Sequence, residues 1–387
     1  MYENFEFWIL NSKFVMTMAG LYFHIPFCKR ICSYCDFFRG VRLNLLDGCL
    51  QAMHAELDEQ RNFLYDKKID TIYFGGGTPS LVAPDRLQAL VEHAAKLFDC
   101  SGVGEMTVEA NPDDISEEYV RRLRQTSINR VSLGVQSFDD AELRFMNRRH
   151  TASEAEQAVK RLQDAGIENI TIDLIFGVDG FGDEVLVDSI ERALDLGVQH
   201  LSAYHLTIEP DTAFGRRLQR GQMQQVSEQQ SELEYMLLHN RLTSAGYEHY
   251  EVSNYALPGY RAVHNSSYWQ GVEYLGIGAG AHSYNGEQRH YVEQDLEEYI
   301  ARREYVVEEL TEQDFYNEYV MTALRRIEGV DLNRVKSMFG DVALHRVLDA
   351  ASQWLASGDI VREGDALRIP AEKFMISDAV IESMFEV

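Results

Sequence analysis

Three cysteines stand in one short run, Phe27-Cys28-Lys29-Arg30-Ile31-Cys32-Ser33-Tyr34-Cys35-Asp36-Phe37, spaced C-x3-C-x2-C. Thiolates are the usual ligands of iron–sulfur clusters, commonly four to a [4Fe–4S] cube. Three on one loop, with no fourth in reach, leave one iron with an open position. An open metal position is where a protein binds a reactant directly. Two blander readings exist: a coincidence of buried thiols, or a Cys3His zinc site completed by His24. Zinc sites usually pair C-x2-C with a second ligand pair far along the chain. The remaining cysteines, Cys49 and Cys100, stand singly and read as small buried apolar residues.

Other residues could serve the same chemistry. Gly75-Gly76-Gly77-Thr78-Pro79 lacks the G-x-G-x-x-G spacing of a dinucleotide fingerprint. At a strand end such glycines let a ligand approach the backbone, although alone they fit a tight turn equally well. Glu109, Gln136 and Asp173 can accept hydrogen bonds from hydroxyl or amino groups, and Arg148 offers a planar fork to a carboxylate. Each could equally be a solvated loop residue or a helix cap. His264, in His264-Asn265-Ser266-Ser267-Tyr268-Trp269, is a candidate ligand side chain. A lone histidine is most often a satisfied core residue, yet neutral imidazole is also a common metal ligand. Tyr268 would share its face if the segment is helical, with Trp269 and Tyr255 as an apolar, stackable wall. The resemblance set out below, together with this chemistry, makes His264 a candidate heme contact.

The elements that must position these groups alternate regularly. Strands are expected over 21–24, 71–74, 106–109, 130–135, 170–174 and 200–206. Helices are expected over 45–64, 84–97, 116–124, 153–165, 184–196 and 228–245, opening at acidic first turns and closing at Gly166, Gly197 and Gly246. Six β/α units in series predict an α/β fold, a parallel sheet curled into a partial TIM-like barrel. Working residues of such barrels lie at the carboxyl ends of the strands, and the cysteine run, the glycines, Glu109 and Gln136 all fall there. Residues 1–18 read as an extension, with Met18 as the start of the folded product or the extension as a short disordered arm. The barrel is expected over 19–246, an aromatic and glycine-rich linking segment over 247–300, and a small domain over 301–387. That last domain should hold helices over 312–326, 332–339, 342–356 and 377–385, with a hairpin turning at Gly364-Asp365, a winged-helix-like pattern.

The net charge of −26 repels phosphate backbones, so nucleic acid is not an expected partner and the small domain should not bind DNA. No apolar run approaches membrane-spanning length. Five cysteines without paired spacing make no disulfide framework and point to a reducing, cytoplasmic compartment.

With these motifs together the chain resembles the HemN/HemW branch of the radical S-adenosylmethionine (SAM) superfamily from residue 19 onward. Tyr22-Phe23-His24-Ile25-Pro26-Phe27-Cys28, Val108-Glu109-Ala110-Asn111-Pro112, Gly134-Val135-Gln136-Ser137 and Asp173-Leu174-Ile175 carry the likeness. It implies Cys28, Cys32 and Cys35 as ligands of a [4Fe–4S] cluster. It implies SAM contacts from Tyr22, Tyr34, Gly76, Gly77, Thr78, Glu109, Gln136, Arg148 and Asp173. Oxygen-independent coproporphyrinogen III dehydrogenases of this branch carry a further cysteine where Phe37 stands, and a longer N-terminal arm. The heme-chaperone members show Cys-Asp-Phe and H-N-x-x-Y-W, matched here by Cys35-Asp36-Phe37 and the run from His264 to Trp269. The resemblance therefore implies a heme-binding chaperone, with heme, a heme-acceptor protein and an electron donor for the cluster as partners. The alternatives are the dehydrogenase itself, which would need basic residues for the substrate propionates, and a cluster-bearing structural or sensor protein.

Overall fold

The computed structural model of the chain describes residues 19–386. The readings of an extension and a start at Met18 fall on residues 1–18, outside the described residues. Each β-rich run expected up to residue 206 is a strand: β1 (Ala19–Ile25), β2 (Thr71–Gly76), β3 (Glu105–Ala110), β4 (Arg130–Gln136), β5 (Asn169–Phe176) and β6 (His200–His205). They lie side by side in that order and all pair in parallel. Helices Leu46–Gln60, Pro84–Leu97, Glu117–Leu123, Ala152–Asp164, Asp183–Asp195 and Glu228–Ser244 follow the strands within a residue or a few of expectation. Thr151 caps the fourth through a reciprocal box with Glu154.

One face of each strand is apolar and meets the helices, with Phe23, Phe74, Val108, Leu133, Ile172 and Leu201 all buried there. Burying each such side chain contributes about 1.5–3 kcal/mol. The opposite face carries Tyr22, Tyr73, Glu109, Arg130, Ser132, Asp173 and His200. Alternation along the strands thus puts oil outside and chemistry inside.

The stretch 247–300, expected to link two bodies, instead builds both edges of this sheet. β7 (Glu248–Glu251) and β8 (Asn254–Ala256) extend it beyond β6. β9 (Glu273–Ile277) pairs parallel with the free side of β1, and β10 (His282–Tyr284), β11 (Gln288–Tyr291) and β12 (Val306–Glu309) follow antiparallel. Among the described residues the order is β12-β11-β10-β9-β1-β2-β3-β4-β5-β6-β8-β7, and its two ends do not pair. These strands are short and rich in His, Tyr and Glu, so no period-2 apolar signal marked them. Gly276 in β9 is required by contact, since a Cβ there would stand 2.0 Å from the His282 carbonyl oxygen.

In the C-terminal part, helices Glu312–Leu324, Leu332–Ser357 and Ser377–Met384 pack together. The middle one breaks at Gly340 (φ 84°, ψ −178°), between the two runs expected there. The expected hairpin is joined by a strand too short to read: β13 (Val330–Asp331), β14 (Val361–Glu363) and β15 (Ala366–Arg368) pair in the order β13-β15-β14. Among the described residues no helix is long and apolar enough to cross a membrane.

Candidate cofactor site at the strand ends

The cysteine loop leaves β1 through buried Phe27 and is closed by its own backbone. Cys28 N–H donates to Gly40 O (2.9 Å) and Gly40 N–H to Pro26 O (2.8 Å). Two outside anchors hold its middle: Ser33 N–H donates to Met146 O (3.0 Å), and Phe214 N–H to Ser33 O (2.9 Å). Asn147 donates its side-chain amide to Ile31 O (2.7 Å) from a left-handed backbone, φ 62°.

Each cysteine meets a donor. Thr78 Oγ1 donates to Cys28 Sγ (3.4 Å), Arg148 to Cys32 Sγ (3.2 Å), and Arg39 to the Cys35 carbonyl. Burial pushes the Cys28 and Cys35 thiols up, while nearby Arg39 pulls each down. The Nε groups of Arg148 and Arg39 are buried without a partner, and an unpaired buried donor marks a place for an acceptor. The zinc reading fails on His24. Its Nε2 bonds Phe38 O (2.9 Å) and its Nδ1 the Tyr22 hydroxyl (3.0 Å), so neither nitrogen is open to a metal. Among the described residues no three His, Cys, Asp or Glu side chains converge on a point for a lone ion. The donor set therefore fits a cube, whose thiolates bind separate irons, better than zinc.

Beside the loop the strand ends bring the other expected residues together. Arg148 also donates to Asn111 Oδ1 (2.6 Å) and to the Gly134 carbonyl, and Asn111 donates to Thr78 Oγ1 (3.3 Å). Gly76, at φ +107°, turns its N–H to Glu109 Oε2 (3.1 Å), and the Tyr73 hydroxyl donates to Oε1 (2.8 Å). A Cβ on Gly77 would lie 2.7 Å from Phe27 O, so this glycine lets β2 meet the root of the cysteine loop. Glu109 is pushed up to about 7 by burial, against the Tyr73 hydrogen bond, and Asp173 up to about 6 by burial, against those from Ser202 and Ser132. Gln136 sits on a β-bulge with φ 72°. Non-glycine residues in this region carry strain and concentrate at functional sites. Tyr22 stacks on Tyr73 on the inner face (6.0 Å), whereas Tyr34 packs into a small apolar cluster with Met146 and Phe214.

Sequence reasoning had no signal for Asn147 or Arg39. Asn111 stood visibly in the third strand-end motif but was given no role.

His264 lies beneath this cluster, stacked on Tyr73 (5.0 Å) and Tyr22 (6.5 Å). The Val263–Trp269 helix plugs the opposite end of the sheet, its first N–H groups capped by buried Glu105 (2.9 Å each). His264 is 0% exposed, with Nδ1 on Thr71 Oγ1 and Nε2 on the Tyr268 hydroxyl, both at 2.8 Å. Thr71 opens β2 and Gly76 ends it, so the ring lies roughly 15–20 Å below the cysteine rim, at about 3.3 Å per residue. Both ring nitrogens thus hydrogen-bond within the core.

Burial pushes His264 down to about 3, helped by buried Arg130. The unfolded chain takes up this proton below about pH 6.5. The neutral ring's contribution is therefore complete above that pH and fades by about 1.4 kcal/mol per pH unit below it. His264→Ala should cost about 1–3 kcal/mol near neutrality by orphaning Thr71 and Tyr268. Urea denaturation should show the gap to wild type narrowing in acid. A gap that stays constant between about pH 7.5 and about pH 5.5 would count against it.

The family model of the Radical SAM superfamily matches residues 22–193. Heme chaperone HemW of Mycobacterium tuberculosis is 33% identical over 375 residues, covering 94% of each chain. That of Lactococcus lactis is 41% identical over 263 residues, 68% of this chain and 69% of its own. The solved structure of coproporphyrinogen III oxidase (HemN) from Escherichia coli superposes with a TM-score of 0.83, covering 98% of this chain and 92% of that chain at 20% identity, a likeness of fold. With its loop of three cysteines at the rim of a parallel sheet, this chain belongs to the HemW family of heme chaperones within the radical SAM superfamily.

Proposed function

We propose that the chain holds a [4Fe–4S] cluster and SAM at the strand ends and carries heme to an acceptor protein, rather than decarboxylating coproporphyrinogen III. The carrying observation is the extent of its likeness to HemW, 94% of both chains with the C-terminal part included. The likeness to HemN, at 20% identity, speaks only to fold.

Cys28, Cys32 and Cys35 would hold the cluster. Bound there, it supplies an open iron for the amino and carboxylate groups of SAM, and an electron from a reducing partner. Around it the chain's own residues do the positioning. Thr78 and Arg148 donate to the sulfurs of Cys28 and Cys32. Arg148, with its free Nε, would face the SAM carboxylate. Gly76 and Gly77 offer backbone for close approach, and Tyr22, Tyr34, Glu109, Gln136 and Asp173 line the remainder. Five unpaired cysteines suit a reducing, cytoplasmic setting.

The test uses one anaerobically reconstituted sample. Hemin should bind with a shifted Soret band and pass to an apo-hemoprotein. With SAM and reductant, coproporphyrinogen III should yield no protoporphyrinogen. Robust conversion would replace this reading with the dehydrogenase.

A further inference from the structure

A heme carrier needs a ligand for the iron, and both ring nitrogens of His264 are already hydrogen-bonded in the core. We infer that His282 is the axial ligand, on a face made by β10, β11 and the residues that follow the cysteine loop. The inference rests on the heme-carrier reading above and names its site.

His282 pairs with Tyr291 of β11 and stands two residues before Tyr284, which faces Tyr274 of β9. Alternate residues share a face, so His282 lies on the side of Tyr274 and Tyr268, the inner side of the sheet. His290, on the other face, packs against Phe63 of the helical layer (4.6 Å). Ten of the twelve histidines have a ring nitrogen hydrogen-bonded within the described residues, leaving His282 and His290. Of these two, His290 has a buried Nδ1. His282 is exposed and stacks on Tyr291 with centroids 4.7 Å apart and planes at 17°. A ring oriented by stacking, with free nitrogens, is what an axial ligand requires.

The surroundings suit a flat apolar dianion. Gly280, two residues before His282, lies so close to Phe38 that a Cβ would stand 2.9 Å from the Phe38 Cβ. Phe38 is 41% exposed and Phe37 65%, and Ile31, Val41 and Leu43 are exposed beside them in sequence. Exposed apolar side chains on one loop offer contacts to an apolar ligand. Residues 29–42 carry Lys29, Arg30, Arg39 and Arg42 against Asp36 alone, in a chain of net charge −26. Lys29 and Arg42 are paired to Asp114 and Glu297 and Arg39 to the Phe37 and Cys35 carbonyls, while Arg30 is exposed. Porphyrin faces would meet the phenylalanines and the propionates the arginines. The frame is rigid, since buried Glu56 accepts the Gly278 N–H (2.8 Å) and fixes the turn into β10.

Hemin titration of the full chain, followed at the Soret band, tests this. His282→Ala should lose the wild-type band position and bind roughly tenfold more weakly or worse, and free imidazole should restore the band. His282→Tyr should give a phenolate-type spectrum. His264→Ala should keep the wild-type band. Wild-type spectra in both His282 variants would overturn the inference and leave heme carriage standing, as would a lost band that neither imidazole nor tyrosine changes. Absence of any Soret shift in wild type would overturn the carrier reading and this inference with it.

Discussion

Cys32→Ala protein, purified and reconstituted without oxygen, should show neither the broad visible absorption of an iron–sulfur cluster nor an EPR signal after reduction. Two thiolates remain on the loop, and a cube held at two corners is lost. The substitution also strands Arg148, whose fork loses one of its three acceptors. Cys49→Ala is the matched control. Cys49 is 0% exposed inside the hydrophobic core, pushed up to about 12 by burial and by neighbouring Glu56, so a thiolate there is disfavoured and both signals should persist. Stoichiometric zinc without iron in the wild-type protein would defeat the assignment.

The second large effect falls on Arg148. Arg148→Ala should weaken SAM binding by about 1.5–3 kcal/mol, the range for a hydrogen bond to a charged group. Saturating SAM should perturb the EPR spectrum of the reduced wild-type cluster, and the variant should need roughly ten- to a hundredfold more SAM for the same change. Arg148→Lys separates charge from shape. An ammonium cannot reach Cys32, Asn111 and the Gly134 carbonyl from one plane, so lysine should recover only part of the loss. Wild-type affinity in Arg148→Ala would remove this residue from the site.

The parallel half of the fold was legible because its strands combine β-branched apolar runs with glycine- and polar-ended turns, as in Thr71–Gly76 and Arg130–Gln136. The edge strands were not. Glu273–Ile277 and Gln288–Tyr291 take their pairing from strands far away in sequence, and their own residues favour no conformation strongly. The cysteine spacing and strand-end polar residues announced a site because their types are expensive to bury idly. The ambiguity of His264 has the same root. Sequence shows a histidine with a tyrosine four residues on, and that pair serves a core network as readily as a ligand. Only the positions of Thr71 and Tyr268 distinguish the two. His282 gave no such hint, since its solitude is a property of packing.

The unpaired ends of the sheet bear on how large a guest the lumen can hold. A closed barrel has a girth set by strand number and stagger, so widening it means breaking ladder hydrogen bonds. Here β12 and β7 are separate borders, and the girth can change by altered twist along twelve strands with every rung intact. Swelling is then an elastic deformation shared over many residues, small at each. The cysteine rim, tied into β1 and β2 near the middle of the sheet, lies several strands from either border and so takes the smallest share of any such change.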